Sequence, residues 1–175
     1  MIKNLFITGK PGCGKTTLII EIVRELKLNA GGFYTSEIRE RGIRKGFKII
    51  TLDDEEGILA HIDIKSPYKV GKYKVNLKDL EEIGAKSILN SLRENKITVI
   101  DELGSMELFS EKFQKAVSTA LNSKNKVLGT IMLKPNPFCD KIKEREDTRI
   151  FYLTPENREK IKKEIKSLLK NESRS

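Results

Sequence analysis

The stretch ITGKPGCGKTTLI, residues 7–19, constrains the fold more than any other part of the chain. Gly9, Gly12 and Gly14 are poor choices inside a helix or a strand, because glycine loses the most backbone freedom on ordering. They stand between IKNLFIT at 2–8, an apolar run, and KTTLIIEIVRELKL at 15–28. In the latter, apolar residues at 18, 19, 22, 23 and 26 share one helical face. The spacing predicts a buried strand, a bare loop and an amphipathic helix in direct succession.

The rest of the chain repeats that alternation. FYT within AGGFYTSE is strand-like, and residues 37–63 alternate polar with apolar around turn signals at Arg41-Gly42 and Glu56-Gly57. That pattern predicts an antiparallel β-hairpin region inserted beside the main sheet. Asn76 is placed to cap a helix running to about residue 94. ITVI at 97–100 reads as a buried strand, and Ser110 with Glu111 opens a helix to about 122. VLGTIML at 127–133 is a strand, followed by a loop at 134–140, a short helix at 141–145 and the strand RIFYL at 149–153. Thr154 and Pro155 read as cap and first residue of the last helix. Strands alternating with helices imply an α/β fold, a mainly parallel sheet covered by helices on both faces. A length of 175 residues suits one domain spanning 1–175. In such sheets ligands bind at the carboxyl ends of the strands.

The opening stretch fits G-x-x-x-x-G-K-[ST] through Gly9, Gly14, Lys15 and Thr16. From average residue usage, chance gives such a match in roughly one chain in 150, before a flanking strand and helix are required. The chemistry explains the spacing. Across Thr8, Gly9, Lys10, Pro11, Gly12, Cys13 and Gly14, the glycines let successive backbone N–H groups point inward at a polyphosphate. The helix starting near Lys15 adds unpaired N–H groups and the positive end of its dipole. The Lys15 ammonium reaches the β- and γ-phosphates, and the Thr16 hydroxyl is placed to ligate Mg²⁺. Thr17 either faces the α-phosphate or packs. Cys13 occupies a variable position of the pattern and carries no chemistry of its own.

A second motif, ITVIDELGSMEL at 97–108, ends an apolar run in Asp101 and Glu102. Asp101 is the expected Mg²⁺-ordering carboxylate. Glu102 is the candidate general base, placed to orient or deprotonate an attacking water. Gly104 and Ser105 lie on the loop expected to approach the γ-phosphate, and Glu107 is a further candidate for the same site.

Bulk properties narrow the class. No stretch approaches the roughly 18–20 apolar residues of a membrane span, and the amino terminus shows no signal-peptide layout. Two cysteines make a disulfide framework unlikely as an organising principle, so a reducing cytoplasm is the expected setting. There is no Cys/His cluster for zinc, and the one histidine, His61, reads as structural. The net charge of +9 fits lysines on solvated helix faces, above all EKIKKEIKSLLK near the carboxyl end. It also permits a nucleic-acid partner without requiring one. No RNA-recognition motif with interleaved aromatics is present. The sequence sets no oligomeric state, and a monomer is the simplest expectation.

Three activities share these motifs. A GTPase needs N-K-x-D after a later strand, and Asn125-Lys126-Val127-Leu128 lacks the aspartate. A kinase passing the γ-phosphate to a nucleotide or small-molecule acceptor would recruit arginines such as Arg39, Arg44, Arg145 and Arg149. A nucleotide-dependent RNA-binding switch is the remaining alternative. The Asp101-Glu102 pair suits activated water best, which favours hydrolysis of the triphosphate.

The segments FITGKPGCGKTTLI, GGFYTSEIRERGIRKGF, VGKY, VIDELGSMELFS, LGTI and RIFYLTPENR resemble, in this order, a known family. It comprises the small P-loop nucleoside-triphosphatases of archaea, thermophilic bacteria and animals, of the cancer-related nucleoside-triphosphatase type. The resemblance implies a RecA-like core and Mg²⁺-dependent hydrolysis of ATP, GTP and other nucleoside triphosphates to diphosphate and phosphate, with broad base tolerance. It places nucleotide contacts on Thr8 to Thr16 and on Thr98, Val99, Ile100, Asp101, Glu102, Leu103, Gly104 and Ser105. It leaves open whether Arg145 stabilises charge and whether Asn157 or Arg158 touches a base. Arg39 and Arg44 flank the hairpin as surface charge or as phosphate or partner contacts.

Overall fold

A computed structural model describes residues 1–170. Nine strands form one sheet in the order β5-β6-β4-β3-β2-β7-β8-β1-β9. They are β1 (Asn4–Thr8), β2 (Ala30–Glu40), β3 (Ile43–Thr51), β4 (Glu56–His61), β5 (Lys69–Val70), β6 (Tyr73–Val75), β7 (Ile97–Leu103), β8 (Val127–Ile131) and β9 (Thr148–Tyr152). From β2 to β9 every neighbouring pair is parallel, as the alternation with helices requires.

The helices are α1 (Lys15–Glu25), α2 (Leu77–Asp79), α3 (Lys86–Arg93), α4 (Glu111–Asn122), α5 (Pro137–Lys143) and α6 (Arg158–Lys170). A π-helical turn, Leu80–Ala85, joins α2 to α3. The rod therefore covers the predicted span, and Asn76 caps it by accepting from the Asp79 N–H. The helices cover two faces of the central sheet. Leu5 and Ile7 of β1 join Leu18, Ile22, Ile161 and Ile165 on one side. Phe6, from the same strand, joins Phe33, Ile100, Phe113 and Val117 on the other. Burial on both faces is why β1, β7 and β8 read as unbroken apolar runs rather than alternating ones.

Six expectations are corrected. The hairpin region does not lie beside the main sheet but extends it. β2 is parallel to β7 at its start and antiparallel to β3 beyond. Glu56 and Gly57 lie inside β4, and the turn falls just before them, at Asp54, whose φ is 68°. The β5–β6 hairpin was not expected, since strands of two and three residues carry no readable period. Helix α1 stops at Glu25 rather than 28, because Lys27 turns to φ 49° and Leu28 N–H bonds the Val23 carbonyl, a left-handed helix stop.

The remaining two corrections concern caps. The last helix starts at Arg158, not at Pro155, since Asn157 turns back to accept from the Thr154 N–H. The short helix after β8 starts at Pro137, four residues before the expected start. Asn136 caps it by accepting from the Phe138 and Cys139 N–H groups, and proline occupies its first position. Asn136→Ala is therefore expected to cost about 1 kcal/mol, read as a lower midpoint in urea unfolding. An unchanged midpoint would mean that α5 stands on packing alone.

Candidate active site

The loop after β1 and the acidic end of β7 open on the same rim of the sheet, with β8 between them. This spacing lets a ligand held over β1 reach a carboxylate on β7. Gly9, Gly12 and Gly14 take φ values of 153°, 76° and 90°. At Gly9 a Cβ would also come within 2.9 Å of the Leu153 carbonyl oxygen. No side chain caps the start of α1, and no acid lies in its first turn. Its first N–H groups and a lysine therefore face the loop together, an arrangement that suits an anion. The Lys15 ammonium donates to the carbonyls of Gly9 (3.0 Å) and Lys10 (3.2 Å), bracing the loop. Lys10, Pro11 and Gly12 are exposed at its crest, Cys13 is half-buried, and Thr17 is exposed rather than packed.

The two motifs meet directly. Thr16 Oγ1 donates to Asp101 Oδ2 at 2.7 Å, a contact across 85 residues of sequence. Asp101 is only 2% exposed, and it also accepts from Thr130 Oγ1 (2.6 Å) and the Thr35 N–H (3.4 Å). Burial raises its pKa, while these donors and the Lys15 charge pull it back. Thr130 and Thr35 were not anticipated as part of the site. The pairing of Ile100 with Gly129 sets Thr130 beside Asp101, and only the sheet register reveals this.

The Asp101–Glu102 peptide is cis. The Glu102 carboxylate folds over Gly104, where a Cβ would lie 2.8 Å from Oε1. Glycine at 104 is what leaves room for it. Among the described residues no side chain donates to the Glu102 carboxylate, in contrast to Asp101. Burial first, then the Asp101 charge, raise its pKa, and Lys15 opposes them. Glu107 is 3% exposed. Its pKa is pushed well up by burial and then by Glu102 and Asp101, against the backbone N–H groups of Glu107 and Gly104. Cys139, under the same loop, is pushed up to about 11 by burial, so it is a packed thiol.

Other candidates fall elsewhere. Thr98, Val99 and Ile100 are buried in the interior of β7, and Thr98 shares a 2.6 Å hydrogen bond with Ser91. Leu103 and Gly104 are buried and Ser105 is exposed on the rim. Thr8 Oγ1 is buried where β1 enters the loop and has no partner among the described residues. Arg145 is held by Asp147, whose carbonyl accepts from the Asn4 N–H at the opposite end of β1 from the loop. Arg39 and Arg44 pair with Glu37, and Arg149 pairs with Glu164. Asn157 spends its amide on Thr154 and Tyr152, and Arg158 pairs with Glu21. His61 accepts from the Asp63 N–H in the extension, away from the rim.

The donor set fits Mg²⁺. Thr16 and Asp101 offer hard oxygens at one point. Among the described residues no group of three or more His, Cys, Asp or Glu is arranged to hold a metal. An ion that keeps waters and phosphate oxygens as most of its ligands suits such a sparse set.

The raised carboxyl pKa values predict how stability depends on pH. A carboxyl whose folded pKa lies above its ordinary value gives its full contribution below that value, 4.5 for Glu107. The contribution is lost as pH rises toward the folded value. Stability of the protein without nucleotide is expected to fall as pH rises above about 4.5, by up to about 1.4 kcal/mol per pH unit for each proton involved. Glu107→Gln should flatten that slope in urea titrations at several pH values. An identical slope would place the proton elsewhere.

Residues 4–166 match the family described as NTPase. The nucleoside-triphosphatase THEP1 of Thermotoga sp. (strain RQ2) is 55% identical over 167 residues, 95% of each chain. The human cancer-related nucleoside-triphosphatase is 36% identical over 181 residues, covering 94% of this chain and 95% of that one. The crystal structure of THEP1 from the hyperthermophile Aquifex aeolicus superposes with a TM-score of 0.87 at 37% identity, covering 95% of this chain and 99% of the other. The loop, the acid pair and the strands that carry them all lie within the matched span, and the chain belongs to this NTPase family.

Proposed function

We propose that the chain is a Mg²⁺-dependent nucleoside-triphosphatase that releases the γ-phosphate to water with broad base tolerance, working as one domain in the cytoplasm. The 2.7 Å contact between Thr16 and Asp101 carries this reading, because it joins the phosphate loop to the acidic strand end. Bound Mg²⁺ would be held by Thr16 and Asp101 and would offset phosphate charge. The loop amides and Lys15 bind and orient the triphosphate tail. Glu102, half-buried and without a donor partner, accepts a proton from water or orients it. Burial and the Asp101 charge raise its pKa, which makes the ionised carboxylate a stronger base. Broad base tolerance is supported by Asn157 and Arg158, whose side chains are spent on the protein itself.

Supporting evidence against the kinase alternative comes from the same kind of engagement. Arg39, Arg44, Arg145 and Arg149 are each paired with an acid. The test is to incubate γ-labelled ATP, GTP, CTP and UTP with the protein and Mg²⁺, with and without a pool of metabolites. Label is expected in inorganic phosphate for all four nucleotides, at a rate the pool does not change. Label on an organic acceptor would overturn hydrolysis as the function.

A further inference from the structure

Of the net charge of +9, part of what the last helix carries is neutralised within the fold. On α6, Arg158, Lys162 and Lys166 are paired with Glu21 and Glu25 of α1. That pairing pushes the pKa of Glu25 down to about 2. One group of unpaired cations lies at the far end of the sheet extension, around the β2–β3 and β5–β6 turns.

There Arg41, Lys45, Lys65 and Lys69 make no side-chain hydrogen bond or ion pair among the described residues, and Lys72 rests only over the Tyr73 ring. Strand pairing brings Lys45 and Lys69 into one sheet, on β3 and β5, with β4 and β6 between them. Lys69 pairs with Lys74, and Lys74 with His61, across the strands. The Lys45 carbonyl accepts from the Ile62 N–H, and the Ile62 carbonyl from Lys74. Like charges left this close destabilise the free protein and attract a polyanion. Of the acids on these strands and turns, Glu37 is held by Arg39 and Arg44 and Asp63 lies by His61, so with Glu40 they are fewer than the cations.

Aromatic surface adjoins these charges. Tyr68 and Phe109 are each 39% exposed, and their rings pack at 5.4 Å between centroids. Lys65 and Tyr68 also line one shallow groove with Ser66 and Asn76. Aromatics interleaved with unpaired lysines, absent as a motif from the sequence, are assembled here by the β5–β6 hairpin. Phosphates spaced along a backbone answer the cations, and exposed base faces answer the rings. A duplex hides its base faces, so the match is to single strands. A membrane surface would use the cations alone.

We propose that the distal end of the β3–β6 extension binds single-stranded nucleic acid, with Lys65, Lys69 and Lys72 on the phosphates and Tyr68 stacking a base. The site shares no residue with the phosphate loop, and its aromatic edge, Phe109, lies two residues beyond Glu107. Neutralising three phosphates predicts a slope of log affinity against log salt of roughly −2.

The experiment measures fluorescence anisotropy of labelled U20 and dT20 with the full chain from about 50 to 200 mM salt. Both oligomers are expected to bind, with the stated salt slope. Preference for U20 would add a contact to the 2′-hydroxyl, and equal binding would assign recognition to phosphates and base faces. Lys69→Glu/Lys72→Glu should weaken binding at least about tenfold, and Tyr68→Ala by about the same factor, consistent with loss of one stacked base. Triphosphate hydrolysis without oligomer should stay at the wild-type rate in both, which shows that the fold is intact. Lys112→Glu/Lys115→Glu, the same charge change on exposed positions of α4, should leave affinity within about threefold. Equal losses in the two charge pairs would overturn the site. So would an absence of oligomer binding at 50 mM salt, or capture of phosphatidylglycerol vesicles in its place.

Discussion

Replacing Glu102 by glutamine is expected to lower kcat by two to three orders of magnitude while leaving the Kd for a triphosphate analogue within about threefold. General-base assistance typically contributes 10²–10⁴-fold, and the amide removes the proton acceptor while keeping shape and hydrogen-bonding reach. The structure makes this a clean change. Among the described residues none donates a side-chain hydrogen bond to Glu102, so none of them loses its partner. The carboxyl is half-buried against Gly104, and an isosteric amide fits the same space. Stability should rise slightly rather than fall, because a group whose charge is disfavoured by burial and by Asp101 is made neutral. Phosphate release and calorimetric binding, measured on one preparation, separate the two effects. Wild-type turnover in this variant would remove Glu102 from the chemistry and turn attention to Glu107, the buried acid on the same loop.

Lys15→Ala is expected to weaken triphosphate binding by about ten- to more than a hundredfold, with a far smaller effect on thermal stability. A hydrogen bond to a charged group contributes about 1.5–3 kcal/mol, and this ammonium is positioned to serve two phosphates. It also braces Gly9 and Lys10 through their carbonyls, so its loss loosens the ring of amides as well. Both effects act on affinity, which calorimetry with a non-hydrolysable analogue reads directly. An affinity equal to wild type would show that the anion is gripped elsewhere, and the reading of the loop would fail. Comparing the two variants is informative because one should lose binding and the other only turnover.

Much of this architecture was legible in the chain. The parallel α/β order follows from runs of apolar residues whose period switches between strand and helix, and such periods are local properties. The phosphate loop is equally local. Three glycines with a lysine and a threonine at fixed spacing can be recognised without knowing what surrounds them, because backbone geometry over eight residues sets the chemistry. The Asp101-Glu102 pair at the end of an apolar strand belongs to the same class. Caps were harder. Asn136 and Asn157 each have a single side chain that decides where a helix begins, and neither is distinguished by periodicity from its neighbours.

What the residues determined on their own was therefore the set of local conformations and the chemical groups at strand ends. Which groups meet was decided only by the tertiary fold. The Thr16–Asp101 contact needs β7, β8 and β1 in one order and register, and Thr130 enters the site through that register alone. Arginines open in the sequence to an acceptor or a base contact are paired with acids distant in sequence, such as Glu164 for Arg149 and Glu21 for Arg158. Charge is a count in the sequence but a distribution in space, and long-range ion pairs decide which cations of α6 are neutralised, Arg158, Lys162 and Lys166 among them. The physical reason is the same throughout: dihedral preferences act over a few residues, whereas hydrogen bonds, ion pairs and burial depend on neighbours that only chain packing supplies.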